Sequence, residues 1–417
     1  MRQILMIAYY FPPFGGAGVQ RSLKFAKYLP EFGWLPVVLS AKPPVHHLRD
    51  ETLLAEIPIG VQVQRVDTLH LPLGLPWRVR NLITRWVLMV DEQIGWLPYA
   101  LPAARRLLKA QNIRVIFTTS APYSAHLIGY WLKSKYNLTW IADFRDPWID
   151  NFNYVFPTLL HRRFAKSLER RILSRADLVT VASESMRLTI LDRYPQLSPD
   201  NVVTITNGFD PSDFEGNTPV AHDSTRFQIT YTGSFYAKKL TPDDFLRCLR
   251  QLIDLGQVDP NRIQVNLIGN IGKYAKKTLA ELGLSYVVHA PGYVNHRTSI
   301  SYLLAADLLL LILPDGVGSQ AILTAKLFEY LAAQKPILAI APPGEAAELI
   351  ARAGAGVVIP VGDRQRLSRE IVNCYNQWER GKLRIASDTT TWQMYNRRTL
   401  TQKLALKLDD YLARQGR

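Results

Sequence analysis

The stretch TAKLFEYLAAQKPILAI, Thr324 to Ile340, sets the reading of the whole chain. It predicts a helix with one acidic residue, Glu329, near its start, and a Lys335-Pro336 step that leads directly into an apolar strand. Glu329 falls at about the first turn and a half of that helix. There the positive end of the helix dipole and the unpaired N–H groups can hold phosphates. A carboxylate beside a phosphate is costly unless it has another task, and accepting hydrogen bonds from a ribose diol is one. The arrangement reads as a nucleotide-sugar site.

Working outward, short β-branched runs alternate with helical stretches along the chain. The first half offers strand candidates at Ile4–Ala8, Pro36–Leu39, Val61–Val66, Val115–Thr118, Thr139–Ala142, Leu178–Val181 and Val202–Ile205. The second offers Gln228–Thr232, Gln264–Ile268, Tyr286–His289, Leu308–Leu313, Pro336–Ile340 and Gly356–Ile359. Strands separated by helices imply right-handed crossovers and parallel sheets. A chain of 417 residues is too long for one ordinary core. The rhythm lapses at 210–226, DPSDFEGNTPVAHDSTR, which is polar and turn-rich. The expected organisation is therefore α/β: a first doubly wound, Rossmann-like domain over 1–209, a linker over 210–226 and a second such domain over 227–385. Two such domains facing each other would turn their ligand-binding strand ends toward a central cleft.

Composition narrows the class. Hydrophobic content of 47% and charged content of 20% are those of a globular protein. The two cysteines, Cys248 and Cys374, lie far apart and match no metal or redox spacing, as a reduced, cytosolic compartment permits. The apolar start is cut by Pro12-Pro13, too early for a signal peptide, and Asp307 interrupts the longest apolar stretch, Leu303–Leu313. A soluble protein is expected. Net charge is +15, spread over both halves: residues 1–213 carry 25 basic against 17 acidic side chains, the remainder 25 against 18. Arg162, Arg163, Lys166, Arg170, Arg171 and Arg175 share one predicted helix with a single Glu169. That run is either a solvated helix face or a surface drawn to an anionic membrane or a phosphate-bearing acceptor. The Trp-, Leu- and Arg-rich region 71–110 reads as ordinary packing or as an interfacial surface. No nucleic-acid recognition motif accompanies the charge, so nucleic acid is not expected as a partner.

Four further motifs carry candidate chemistry. FPPFGGAGVQRSLKFAKYL follows the first strand, with Gly15 and Gly16 in a loop whose main-chain N–H groups can meet phosphate. It is not a dinucleotide fingerprint: the third glycine is missing, and the second strand ends in Ser40-Ala41-Lys42 without an acidic residue. TTSAPYSAH, Thr118 to His126, follows the fourth strand and offers His126, whose alternative is a satisfied core histidine. ADFRDPW, Ala142 to Trp148, flanks Arg145 with Asp143 and Asp146 at a strand end. Arg145 is expected to clamp either carboxylate while orienting a substrate hydroxyl, or the three form a structural ion-pair knot. ITYTGSFYAKKL places Gly233, then Lys238 and Lys239, at the edge of the second sheet, and lysine ammonium groups suit phosphates. No His or Cys cluster suggests a metal.

Together these residues resemble family 4 glycosyltransferases, retaining enzymes of the GT-B fold. The resemblance spans nearly the whole chain: the Gly15-Gly16 loop, the NGFD turn at Asn207–Asp210, Gly233 with Lys239, the KLFEYLA helix, and a C-terminal helix at about Met394–Leu412. The chain is most similar to the branch carrying TSxPYSAH and DFRDPW, found in bacterial surface-polysaccharide pathways. The resemblance implies that residues 386–417 cross back to the first domain. It implies that Glu329 takes the donor's ribose hydroxyls, that Lys239 binds the diphosphate, that the Gly15-Gly16 backbone approaches the diphosphate and sugar, and that Arg145 with Asp143 and Asp146 stands near the reacting sugar; Gly233 and Thr324 are expected beside the donor, and His126 is the further catalytic candidate. A nucleoside diphosphate sugar would serve as donor without an essential cofactor or metal, and a glycan or lipid-linked molecule as acceptor. Two positions depart from the pattern. Ser234 stands where an arginine usually follows the glycine, and Ala321 where the first glutamate of an E-x7-E pair is usual; Lys326 is expected to make up the lost positive charge. A nucleotide-sugar epimerase or hydrolase, and a non-catalytic scaffold of the same fold, are the competing readings.

Overall fold

The computed structural model describes every residue except 46, 71–75, 77–81, 83–85, 87–89, 152–155, 236–239, 317, 386–389 and 417. Two compact units emerge: Met1–Thr206 together with Arg397–Arg417, and Asn207–Asn396.

The first unit holds a seven-stranded sheet in the order β3-β2-β1-β4-β5-β6-β7, its neighbours all parallel. The strands are β1 Arg2–Ile7, β2 Trp34–Ala41, β3 Gln62–Val66, β4 Val115–Ser120, β5 Thr139–Phe144, β6 Leu178–Val181 and β7 Val202–Thr204. Each overlaps an apolar run expected to be a strand. The second unit holds a six-stranded parallel sheet, β10-β9-β8-β11-β12-β13. Its strands are β8 Phe227–Thr232, β9 Ile263–Ile268, β10 Val288–Gly292, β11 Leu308–Ile312, β12 Ile337–Ile340 and β13 Gly356–Ile359.

The central strands read as apolar runs because helices cover both faces of each sheet, whereas the edge strands β3 (QVQRV) and β10 (VHAPG) carry polar residues and are partly exposed. In β11, Leu308, Leu310 and Ile312 enter one core cluster while Leu309 and Leu311 enter another across the sheet. Strand order reverses between β1 and β4 in the first unit and between β8 and β11 in the second. At such reversals the connections leaving adjacent strands part to opposite faces, opening a crevice at the strand C-termini.

The C-terminal helix, Arg397–Arg414, belongs to the first unit. Its fourfold spacing of Leu400, Leu404, Leu408 and Leu412 puts one apolar face into the first core. Asp409 then accepts from Arg2 and from Trp34 Nε1, the latter at 3.1 Å, and Tyr411 donates to Asp177 at 2.8 Å. The preceding residues stay with the second unit: Phe209 N–H donates to the Tyr395 carbonyl, and Trp392 is buried in that unit's core. The polar stretch 210–226 also packs there. Val220 N–H donates to Ser301 O, and Ser301 Oγ donates to Asn217 Oδ1 at 2.8 Å. Among the described residues no helix is long and apolar enough to cross a membrane.

Candidate functional site

In the second unit, the chain leaving β8 and the helix entered after β11 meet at the strand reversal. The first is Gly233, with φ +130°, a conformation that disfavours any side chain. The second is the helix Ala325–Ala332, with Thr324 at its N-cap. Tyr330 fixes the two together: its hydroxyl accepts from Thr232 N–H at 2.9 Å and lies 3.3 Å from the Leu310 carbonyl. Lys326 and Glu329, three residues apart, share the face of this helix turned to the strand ends. Lys326 Nζ donates to Tyr231 Oη at 2.9 Å and lies 4.2 Å from the centre of that ring. A Cβ on Gly233 would come within 2.6 Å of the same ammonium. Desolvation lowers the Lys326 pKa to about 8, against the pull of Glu329, which raises it. Glu329 Oε1 is 3.0 Å from His296 Nε2, with both side chains mostly covered. Thr324 Oγ1 is buried and makes no hydrogen bond. Lys239 lies outside the described residues.

In the first unit, the loop after β1 is already committed to its own fold. Gly15 is buried and its N–H donates to the Leu48 carbonyl at 2.8 Å, so it has no donor to offer a phosphate. Gly16, at φ +89°, caps the helix Ala17–Tyr28. Of the two carboxylates expected as partners of Arg145, Asp143 is not the one it meets. Parallel register sets Thr119 and Thr180 on either side of Asp143, and both hydroxyls donate to it, at 2.7 and 2.6 Å. Arg21, reaching in from the helix Ala17–Tyr28, completes the cage with Nε at 2.9 Å and Nη2 at 2.7 Å. Burial pushes the Asp143 carboxyl up, but the Arg21 charge and these hydrogen bonds outweigh it and hold its pKa below the ordinary value. Arg145 instead donates to Gly18 O at 3.0 Å and to Asp146 at 3.3 Å. Arg145 and Asp146 thus stand at the open end of β5, and Asp143 is walled off beneath them.

His126 is in the core as well. It is fully buried, stacked on Phe144 with ring centres 4.3 Å apart, and its Nδ1 is 2.8 Å from Thr118 Oγ1. Desolvation drives its pKa down to about 3 despite the nearby Asp143 charge. The helix Ser124–Lys135 that carries it packs on β4, so the ring cannot reach a ligand in solvent.

Residues 16–213 match the model for Glycosyltransferase Family 4, and residues 226–377 match that for Glycosyl transferases group 1. The chain is a glycosyltransferase of the GT-B fold. The fold of this glycosyltransferase is similar to that of sucrose-phosphate synthase from Thermosynechococcus elongatus, at 15% identity over 99% of this chain and 100% of that one, TM-score 0.72. It is similar to Anabaena HepE in complex with UDP-glucose, at 18% identity over 98% and 100%, TM-score 0.67. It is also similar to WaaG, a glycosyltransferase involved in lipopolysaccharide biosynthesis, at 15% identity over 96% and 98%, TM-score 0.63. No curated protein sequence matches the chain.

Two side chains of this glycosyltransferase have partners that no local sequence pattern marks. Arg21 was legible only as a basic residue on a first helical turn; its partner is 122 positions away. His296 opens the helix His296–Ala305, where Asn295 caps by accepting from Thr298 N–H at 2.8 Å. Nothing local tells that its ring meets Glu329. The two unusual positions are also placed: Ala321 ends a short 3-10 turn, Ser319–Ala321, and the Ser234 carbonyl lies 3.4 Å from Tyr231 Oη, the hydroxyl that Lys326 holds.

Proposed function

We propose that the enzyme transfers a sugar from a nucleoside diphosphate sugar to a glycan or lipid-linked acceptor, with retention of anomeric configuration, in building a cell-surface polysaccharide. The observation that carries this reading is the pairing of Lys326 and Glu329 on one helix face at the strand reversal of the second unit. A diphosphate leaving group needs cationic and N–H stabilisation as its charge develops. Lys326 beside the bare backbone of Gly233, with Thr324 and the first turn of its helix, offers both kinds of donor. Glu329 takes the ribose hydroxyls. The acceptor proton leaves toward the departing phosphate on the same face, so no protein nucleophile and no essential metal is required.

The lipid-linked acceptor draws support from the helix Leu159–Arg175. Leu159, Leu160 and Phe164 are 73, 68 and 41% exposed among the exposed Arg162, Arg163 and Lys166. Trp86, 49% exposed, lies at the same end, its carbonyl 3.2 Å from His161 Nε2. Apolar side chains standing in a cationic field suit an anionic membrane surface.

The test is incubation with radiolabelled UDP-, GDP- and ADP-sugars and membrane lipid extract, with the product's anomeric configuration read by NMR. Labelled lipid or glycan with the donor's configuration supports the proposal. Free sugar or an epimerised nucleotide sugar, formed equally without acceptor, overturns it.

A further inference from the structure

His296 has no part in the proposal so far, yet its Nε2 stands 3.0 Å from the carboxylate on which donor recognition turns. We infer that His296 is a positioning residue for donor binding: it fixes the Glu329 carboxylate in the orientation that grips the ribose diol. The inference rests on the reading of Glu329 as the ribose ligand.

The geometry supports this in three ways. Glu329 projects from a helix through three rotatable bonds, and a glutamate with no partner would sample several rotamers before a nucleotide arrives. The imidazole is held from its own side: Asn295 caps its helix, and Ile300 and Leu303 of that helix are fully buried, so the ring is presented from a rigid element. A carboxylate oxygen of Asp213 also lies within 4.8 Å of a His296 ring nitrogen, so a second acidic group stands near the ring. The carboxylate keeps capacity for ligand. It has about four lone-pair directions, and His296 occupies one of those on Oε1, leaving Oε2 and the remainder of Oε1 for two hydroxyl donors. A ligand group whose rotamer is locked by such a neighbour binds more tightly because less freedom is lost on binding.

The test uses the full-length enzyme and whichever of UDP, GDP and ADP the wild type binds most tightly by isothermal calorimetry, alongside the 2′,3′-dideoxy form of that nucleotide. His296→Ala is expected to weaken the ribonucleotide about tenfold, in line with one hydrogen bond to a charged group. It should leave the dideoxy nucleotide unchanged. His296→Gln, which restores an N–H donor, should recover most of the loss, and Glu329→Gln should abolish discrimination between the two nucleotides. If His296→Ala weakens both nucleotides equally, or His296→Gln does not rescue while its melting temperature is that of the wild type, the positioning role is refuted. If Glu329→Gln leaves ribose discrimination intact, the ribose reading itself fails and the inference falls with it. Failure of the wild type to bind all three nucleotides overturns both.

Discussion

Replacing Arg21 by methionine should unfold the first unit far more readily than any surface change. Arg21 and Asp143 are essentially inaccessible, with side-chain exposures of 1 and 0%. Three of the guanidinium's nitrogens act at once: Nε and Nη2 on Asp143, Nη1 on the Thr206 carbonyl at 2.8 Å, and Nη2 also on the Ile205 carbonyl at 2.8 Å. Methionine fills much of the volume but leaves a buried carboxylate with two threonine hydroxyls as its remaining donors. Breaking one side of a buried pair costs about 3–5 kcal/mol, because the surviving charge cannot return to water. In a unit of this size that lowers the melting temperature by roughly 6–20 °C. Seven of the nine tryptophans (34, 77, 86, 96, 131, 140 and 148) lie in the first unit, so intrinsic fluorescence during urea unfolding reports mainly on it. The pH dependence gives the reasoning a sharper edge. In the wild type the Asp143 carboxyl is depressed, so its stabilisation is present above the ordinary unfolded value and is lost as pH falls through the lower folded one. In Arg21→Met the orphaned carboxylate takes up a proton more easily, so the gap between variant and wild type should narrow as pH falls from 7 toward 4. A loss below about 1 kcal/mol, or a loss that does not change with pH, would show that the cage of Thr119, Thr180 and Arg21 does not act as a unit.

Other outcomes follow from the same structure. Gly233→Ala combines a forbidden φ with a contact on Lys326; the ammonium tip can move, so the expected stability loss is about 1–3 kcal/mol from backbone strain, while calorimetry should show a larger loss of nucleotide affinity. Since Lys326 titrates at about 8 in the folded protein, below a free lysine, diphosphate binding should weaken as pH rises through that value, and Lys326→Met should flatten the profile measured from pH 7 to 9.5. His126, held neutral down to about pH 3, withdraws stability as pH falls below the free imidazole value; His126→Ala should cost about 2–4 kcal/mol in urea unfolding, with specific activity of the folded fraction retained. Ending the chain before Arg397 would expose the face that receives Leu400, Leu404, Leu408 and Leu412, and should yield protein that aggregates or shows no cooperative melt by circular dichroism.

What the sequence determined by itself was whatever depends on near neighbours in the chain. The central strands show as apolar runs because a parallel sheet buried on both faces needs them, and Gly233, Lys326 and Glu329 are legible because a strand end and a helix start have local signatures. Tertiary structure alone decided which charges meet. Asp143 looked like a partner of Arg145 two positions away, but strand register set Thr119 and Thr180 beside it and brought Arg21 across 122 residues. His126 was a candidate site residue, but the helix carrying it packs its ring onto Phe144, and His296 has no local signature of its place beside Glu329. The reason is physical: periodicity follows from backbone geometry every few residues, whereas the partner of a buried charge is fixed only when the packed sheets bring distant segments within about 3 Å.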